Sequence, residues 1–598
     1  MSTYVAPIRD MKFVIKELVG LDQITHLPGC EEVTEDVVDA VLEEAGKFAS
    51  GVLDPLNRPG DQHGAKLDKH VVKSAPGFKD AFRQFCEGGW VSLGNDPQWG
   101  GQGLPHVIST QTSEMWNAAC MSFCLCPMLT AGAVQALMRH GTDAQKQTYL
   151  PNLINGNWTG TMNLTEPQAG SDLSAVRARA VPEGDHFLVS GTKIFITWGE
   201  HDMTENIIHM VLARTPDAPE GVKGISLFIV PKFLVNKDGS LGKRNDVKCV
   251  SIEHKLGIHG SPTSVLAYGD EGGAVGYLVG EENRGLEYMF TMMNFARLEV
   301  GIEGLAIADR AYQHALEYAK TRVQGREPGV KSGDRVTIIH HPDVRRMLMG
   351  MKSQTEAMRA LATLASAHLD HALHNPDKGE RAQHQAMFDL LTPVVKGWCT
   401  ELSIEIASTG VQVHGGMGFV EETGAAQYLR DARITTIYEG TTAIQANDLI
   451  GRKIAYEKGA TAKALLAEMR AIDAQLAKSA SHPAIGAIRP ALAEGVRALS
   501  ESVDWLLSTF ADNPKAAYAG SVPFLKLFGV VAGGWLMAKA ALIAKQRLDE
   551  GSEDYDFYRS KLASVRFFAE HHLPMAQAYR TEIVAGSAST LALEEAQF

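Results

Sequence analysis

DHFLVSGTKIFITW, residues 185–198, is dense in β-branched and aromatic side chains and predicts a strand. Three more runs of this kind follow, NIIHMVLAR (206–214), GISLFIVPK (224–232) and TSVLAYGD (263–270), with turn residues between them. Close spacing without intervening helices predicts an antiparallel barrel or sandwich. The flanks are helical. TEDVVDAVLEEAGKFASGVLDP offers Thr34 as N-cap and acids in its first turn, then Val37, Val41, Ala45, Phe48 and Val52 at helical spacing, and ends at Pro55. Past the turn-rich NDPQWGGQG (95–103), helical patterning returns over 106–150. After GEENRGL (280–286), long amphipathic stretches run to residue 455, as in a helix bundle. The remaining C-terminal residues form a further helical block in which Leu499, Val503, Leu506 and Phe510 share a face. The expected fold is mainly α with a central antiparallel β domain. The expected parts are an N-terminal extension (1–40), a helical domain (41–158), a β-barrel (159–282), a four-helix bundle (283–455) and an additional helical domain (456–598).

The 598 residues suggest about three or four folding units. Hydrophobic content of 45% with 21% charged residues is that of a soluble enzyme. A net charge of −13 argues against a nucleic-acid partner. MSTYVAPIRDMKFVIKEL contains no uninterrupted apolar core of a secretory signal, so the expectation is a cytoplasmic protein. The longest apolar run, Leu527 to Ala538, is closed by Lys526 and Lys539 and falls short of the roughly 20 residues a membrane span needs. Seven cysteines, an odd count, fit a reducing compartment. Cys120, Cys124 and Cys126 in ACMSFCLCPM have no His or Asp beside them and read as small buried hydrophobes. No metal site and no Ser-His-Asp arrangement is expected; His340, His341, His571 and His572 read as structural or unassigned.

Four stretches carry chemistry when taken together: GTDAQKQTYLPNLINGNW (141–158), MNLTEPQAGSD (162–172), KIFITWGEHD (193–202), and QVHGGMGFVEE (412–422) leading to LRDARITTIYEGTT (429–442). HGGMG is not the G-x-G-x-x-G of a nucleotide-binding βα turn. In this order and at these distances the stretches resemble the acyl-CoA dehydrogenase family of flavoproteins, over residues 75–455. The two terminal extensions resemble the larger subgroup that includes enzymes acting on 3-methylmercaptopropionyl-CoA, in dimethylsulfoniopropionate catabolism. The resemblance therefore implies that thioester as substrate, with a short or medium straight-chain acyl-CoA of fatty acid β-oxidation as the competitor.

The resemblance implies FAD and assigns its contacts. Met162, Leu164 and Thr165 would run along the isoalloxazine, and Ser171 would meet flavin or CoA phosphate. Phe195 stands where the family has Trp, and Thr197 would lie near N5. Arg322, Gln412, Gly415 and Gly416 would reach the FAD of a neighbouring subunit, implying a homodimer, and Thr441 would also contact the cofactor. Met417 and Ala443 depart from the family pattern in the adenine and pyrophosphate region. Arg297, Tyr438 and Gly440 are the remaining substrate contacts implied. An electron-transfer flavoprotein is the implied electron acceptor.

Desaturating an acyl thioester requires a desolvated base for the α-proton and a hydride acceptor for the β-carbon. Glu439 ends an apolar run with neutral neighbours and is followed by Gly440, which admits a substrate close to the backbone. Glu439 is the expected base, and its N–H a donor to the thioester carbonyl. The family's second base position, before Arg297, is Ala296, and Glu299 points elsewhere on its helix. An acyl-CoA oxidase and a non-enzymatic flavoprotein of the same fold are the alternative readings.

Overall fold

A computed structural model describes residues 3–598, and the chain divides into two compact units. One comprises Lys47–Leu104 and Met115–Glu299. The other gathers Met1–Gly46, Pro105–Glu114 and Val300–Phe598.

The first unit is built on an eight-stranded sheet. Its strands are β1 (Trp158–Asn163), β2 (Arg179–Glu183), β3 (His186–Thr197), β4 (Asn206–Ala213), β5 (Ser226–Pro231), β6 (Val247–Ile252), β7 (Thr263–Tyr268) and β8 (Ala274–Leu278). They pair in the order β6-β7-β3-β8-β5-β4-β1, with β2 on β3. Every pair is antiparallel except β1–β4, a parallel pair that strand periodicity alone does not reveal. Strand β3 serves two sets of partners. Residues 186–190 pair with β2 and 187–189 with β8, while 191–197 pair with β7. The change of partner falls at Gly191, φ 135°, where an added Cβ would lie 3.0 Å from the Ala178 backbone. Strands β1, β4 and β5 are buried along their whole length, as expected where both faces are covered.

In the second unit the helices that matter are the start of α1 (His106–His140), the later part of α2 (Gly285–Thr321), α3 (Pro342–His374), α4 (Lys378–His414), α5 (Ala425–Thr435) and α6 (Thr442–Asp448). The C-terminal block adds α7 (Pro483–Thr509), α8 (Ser521–Asp549) and α9 (Tyr555–His571). Small residues set the crossings. A Cβ on Gly301 would stand 2.6 Å from Val395, and one on Gly304 2.9 Å from the Cys399 carbonyl, so α2 and α4 touch backbone to backbone. A Cβ on Gly529 would stand 2.2 Å from the Trp398 ring, so α8 packs directly on α4. The N-terminal helix Ile8–Phe13 is held to the C-terminal block by Arg9–Asp554 at 2.8 Å and by Phe13 against Phe557.

Two expectations shift. The buried face of Glu35–Phe48 and the turn after it is Val38, Leu42, Ala45, Ala49 and Leu53, one position along from the face read from sequence. Ala49–Leu53 winds as a π-helix, which breaks the 3.6 period over the last of these positions; the shift at Val38 and Leu42 lies in regular helix. The apolar run at 527–538 lies inside α8, which is long and apolar enough to cross a membrane, as is α1. Their apolar windows are 83% and 78% buried within the protein, the environment of core helices.

Three histidines meet where α3 faces the start of α4. His368 Nδ1 and His384 Nδ1 are 2.8 Å apart, and the His371 and His384 rings stack at 4.3 Å. Burial, then His384, His371 and Lys539, push His368 down to about 3. His368 is therefore neutral in the fold but titrates near 6.5 when unfolded, so its contribution is complete above pH 6.5 and is lost as pH falls towards 3. At one unit below 6.5 the loss is about 1.4 kcal/mol. Melting curves at pH 7.5 and 5.5 are expected to show a smaller acid-side fall for His368→Gln than for wild type; equal falls refute this.

Candidate active site

Helix α5 ends at Thr435, so the apolar run before Glu439 is a helix terminus. Ile437 N and Tyr438 N both donate to the Ile434 carbonyl, at 2.8 and 3.1 Å, and Ile437 is exposed. The chain then turns left-handed for two residues, Glu439 at φ 56° and Gly440 at φ 88°. A non-glycine residue in that region costs about 1–2 kcal/mol, so the surroundings must hold it there. They do. Gln445 Nε2 donates to the Glu439 carbonyl at 3.0 Å, and Lys396 Nζ, from α4, donates to the Gly440 carbonyl at 2.7 Å. Thr442 N closes the loop onto the Thr436 carbonyl at 3.1 Å. The Thr441 hydroxyl accepts from Ile444 N at 3.3 Å as N-cap of α6. Glycine suits position 440 by its φ of 88°, and a Cβ there would stand 2.7 Å from Gln445 Nε2 and push that donor off its carbonyls.

The surroundings of Glu439 are not neutral, which corrects the reading from sequence. The side chain of Lys396 is fully buried, and Tyr438 donates its hydroxyl to Glu303 on α2, a carboxylate only 1% exposed. Burial, then Glu303 and Glu439, push the Tyr438 phenol well above its ordinary value, so it acts as a donor throughout the physiological range. Three charged side chains thus cluster at one turn. Lys396, Glu303 and Gln445 carry no local sequence signal, since two of them come from helices distant in sequence.

Elsewhere in this unit, Arg322 is exposed just past the end of α2, and Gln412 is exposed near the end of α4. Gly415, φ 61°, caps α4, and a Cβ on it or on Gly416 would meet nothing within 4 Å, so this backbone is open to a ligand. Met417, Phe419 and Val420 beside it are exposed, Phe419 at 91%.

The other unit holds the second group of candidates. Met162 ends the buried strand β1 with Asn163, Leu164 follows, and Thr165 begins a loop tied to β3 by Ile194 N donating to the Thr165 carbonyl at 2.9 Å. Lys193, fully buried, secures the same loop. It donates to the Leu164 carbonyl at 2.9 Å and to Glu166 at 2.8 Å, and burial draws its ammonium down to about 8 despite Glu166. Opposite, the register of β7 slips between Ser264 and Leu266, and Phe195 takes φ 60°. That bulge re-aims the ring outward, leaving it 59% exposed. An exposed aromatic held on strained backbone fits a flat ring ligand such as an isoalloxazine; Met162 and Leu164 are buried, and Thr165 and Thr197 half-buried. Ser171 is exposed, in the loop whose Asp172 carboxylate caps the Ser174 amide at 2.9 Å. Arg297 is 4% exposed with its guanidinium over Phe290.

Four family models match successive parts of the chain from residue 38 to residue 594. The acyl-CoA dehydrogenase N-terminal domain matches residues 38–157, the middle domain 161–270 and the C-terminal domain 283–454. An acetyl-CoA dehydrogenase C-terminal-like model matches 465–594. The sequence is 51% identical to a 3-methylmercaptopropionyl-CoA dehydrogenase of Ruegeria pomeroyi, covering 97% of this chain and 98% of that one. It is 34% identical to a butyryl-CoA dehydrogenase of Syntrophomonas wolfei, covering 96% and 95%. In fold it is similar to a crystal structure of an acyl-CoA dehydrogenase complexed with FAD from Bacillus anthracis, with a TM-score of 0.72 at 20% identity over 96% and 92% of the two chains.

Proposed function

The chain belongs to the acyl-CoA dehydrogenase family, FAD-dependent enzymes that introduce the α,β double bond into acyl-CoA thioesters, and from that premise we propose that its substrate is 3-methylmercaptopropionyl-CoA. Full-length identity of 51% to a dehydrogenase of that thioester is the observation that carries the substrate. Butyryl-CoA and longer straight chains are the competitors.

We assign the α-proton to Glu439. Its carboxylate sits on a turn fixed by three donors, which keeps the group at one place and direction. Bound FAD would supply the hydride acceptor for the β-carbon. Phe195, Met162, Leu164, Thr165 and Thr197 would face the ring, and Ser171 and Arg297 would meet the phosphate or CoA portion of the ligands. Tyr438 and Gly440 would flank the acyl group, with the Glu439 N–H donating to the thioester carbonyl as negative charge develops there. Thr441 would contact the cofactor by a hydroxyl that already caps α6.

A second copy of this chain would cover Met417, Phe419 and Val420, bringing its FAD to Arg322, Gln412, Gly415 and Gly416; the exposed apolar side chains beside an open glycine backbone support a homodimer. An electron-transfer flavoprotein would take the electrons, in the cytoplasm. The five-part division at residues 40, 158, 282 and 455 is proposed for the chain as well.

Anaerobic bleaching of the flavin tests the substrate. Of 3-methylmercaptopropionyl-, butyryl-, octanoyl- and palmitoyl-CoA, the first is expected to bleach the yellow enzyme fastest at equal concentration. Faster bleaching by butyryl-CoA would overturn the substrate and leave the reaction class standing. Reoxidation of the bleached enzyme by air as fast as by an electron-transfer flavoprotein would mark an oxidase.

A further inference from the structure

We infer that Lys396 and Gln445 are positioning residues for Glu439, and that the buried ammonium of Lys396 also sets the field in which the Glu439 carboxylate works. The inference rests on the reading of Glu439 as the base.

The turn explains why two donors are needed. The carbonyls of Glu439 and Gly440 lie between the end of α5 and the start of α6, outside either helical ladder. Left-handed backbone turns both away from ordinary helical partners. Gln445 reaches them at 3.0 and 3.4 Å, and Lys396 reaches the second at 2.7 Å. Lys396 arrives there because α4 crosses α2 at the Gly301 and Gly304 contacts, one of which is with its immediate neighbour Val395.

A neutral donor would satisfy a carbonyl. A buried ammonium does more, since a charge taken out of water is costly and its field is poorly screened. This one is bonded one residue away from the base. The other groups around the turn are the Tyr438 phenol, Glu303 behind it on α2, Asp431 and Arg433 of α5, the arginine donating to the Thr436 hydroxyl at 2.6 Å, and Glu401 on α4, which accepts from the Thr442 hydroxyl at 2.7 Å and lies 3.5 Å from Lys526 of α8. Glu303, Glu401 and Asp431 favour a protonated Glu439; Lys396 and Arg433 oppose them, and of these two the lysine is the one bonded to the residue after the base. Removing Lys396 therefore loosens the turn and moves the base towards its protonated form at the same pH.

The test reads proton transfer without flavin reduction. Exchange of the α-protons of a non-oxidisable acyl-CoA analogue into deuterated solvent is followed by NMR as a function of pH. Lys396→Met is expected to slow exchange about 10²-fold and to shift the acid-side midpoint to higher pH. Gln445→Met, which removes a donor but no charge, is expected to slow exchange with the midpoint unmoved. Lys396→Arg keeps charge and donor and is expected to restore the midpoint. Should Lys396→Met fail to fold by circular dichroism, Lys396→Gln carries the same charge test. Exchange within about threefold of wild type and an unmoved midpoint in the lysine variant overturn the inference. Glu439→Gln is the control: if it exchanges as fast as wild type, the base assignment itself falls, and the inference with it. If it stops exchange while the lysine variant is normal, only the inference falls.

Discussion

Glu439→Gln is expected to slow anaerobic flavin bleaching by the preferred thioester by about 10²–10⁴-fold, the range over which a positioned general base contributes. Gln preserves the volume and reach of Glu, so the left-handed turn, the Lys396 bond to the Gly440 carbonyl and the Gln445 bond to the Glu439 carbonyl should survive. What disappears is the carboxylate able to take the α-proton. Affinity for the enoyl product, which carries no such proton, should change little. The variant therefore separates chemistry from binding: bleaching falls, product affinity holds, and the yellow colour of the bound cofactor remains. A variant that bleaches at wild-type rate removes Glu439 from the reaction. One that loses the cofactor or the product as well shows that the side chain serves the turn rather than the proton.

Glu439 stands out in the sequence because two adjacent letters conflict with the run before them, an acid and then a glycine. The strands were legible for a similar reason, since a β-branched run between turn residues leaves few other options. What fixes Glu439 was not legible. Lys396 lies in a helix where a lysine reads as a solvated face, and only the close glycine crossings of α2 and α4 turn it inward. The outward turn of Phe195 depends on a register slip in β7, and the parallel β1–β4 pair depends on the path between them, neither of which has a local signature. That the apolar run before Glu439 is a helix end has no local signature either; the bonds to the Ile434 carbonyl decide it. The sequence order of α, β and α segments carried the architecture, whereas long-range side-chain geometry carried the site.

Arg359→Met is expected to destabilise the helical unit by about 3–5 kcal/mol, the cost of stranding buried carboxylates without their counter-ion. The Arg359 side chain is 3% exposed and that of Glu114 is fully buried. The guanidinium donates Nε to both Glu114 oxygens at 3.0 Å, and its two terminal nitrogens reach Asp10 at 2.6 Å and Asp309 at 3.2 Å. These partners come from α1, the Ile8–Phe13 helix and α2, so one residue of α3 ties together segments far apart in sequence. The three acids do not behave alike. Burial would raise Asp10, but Lys561 and Arg359 outweigh it and hold the carboxyl well below the ordinary range. Burial pushes Glu114 up to about 7 even against Arg359. Methionine fills much of the volume and bonds to none of them. Because a carboxyl raised above its unfolded value destabilises the fold as it ionises, the deficit should be largest near pH 8 and shrink as Glu114 takes up a proton towards pH 6. Adding Glu114→Gln should recover part of the loss, since it removes the stranded charge rather than leaving it to titrate. Melting temperatures of the wild type, both single variants and the double variant at pH 8 and pH 6 check this. A single variant as stable as wild type, or a deficit that grows as pH falls, would mean that the arginine is only filling space.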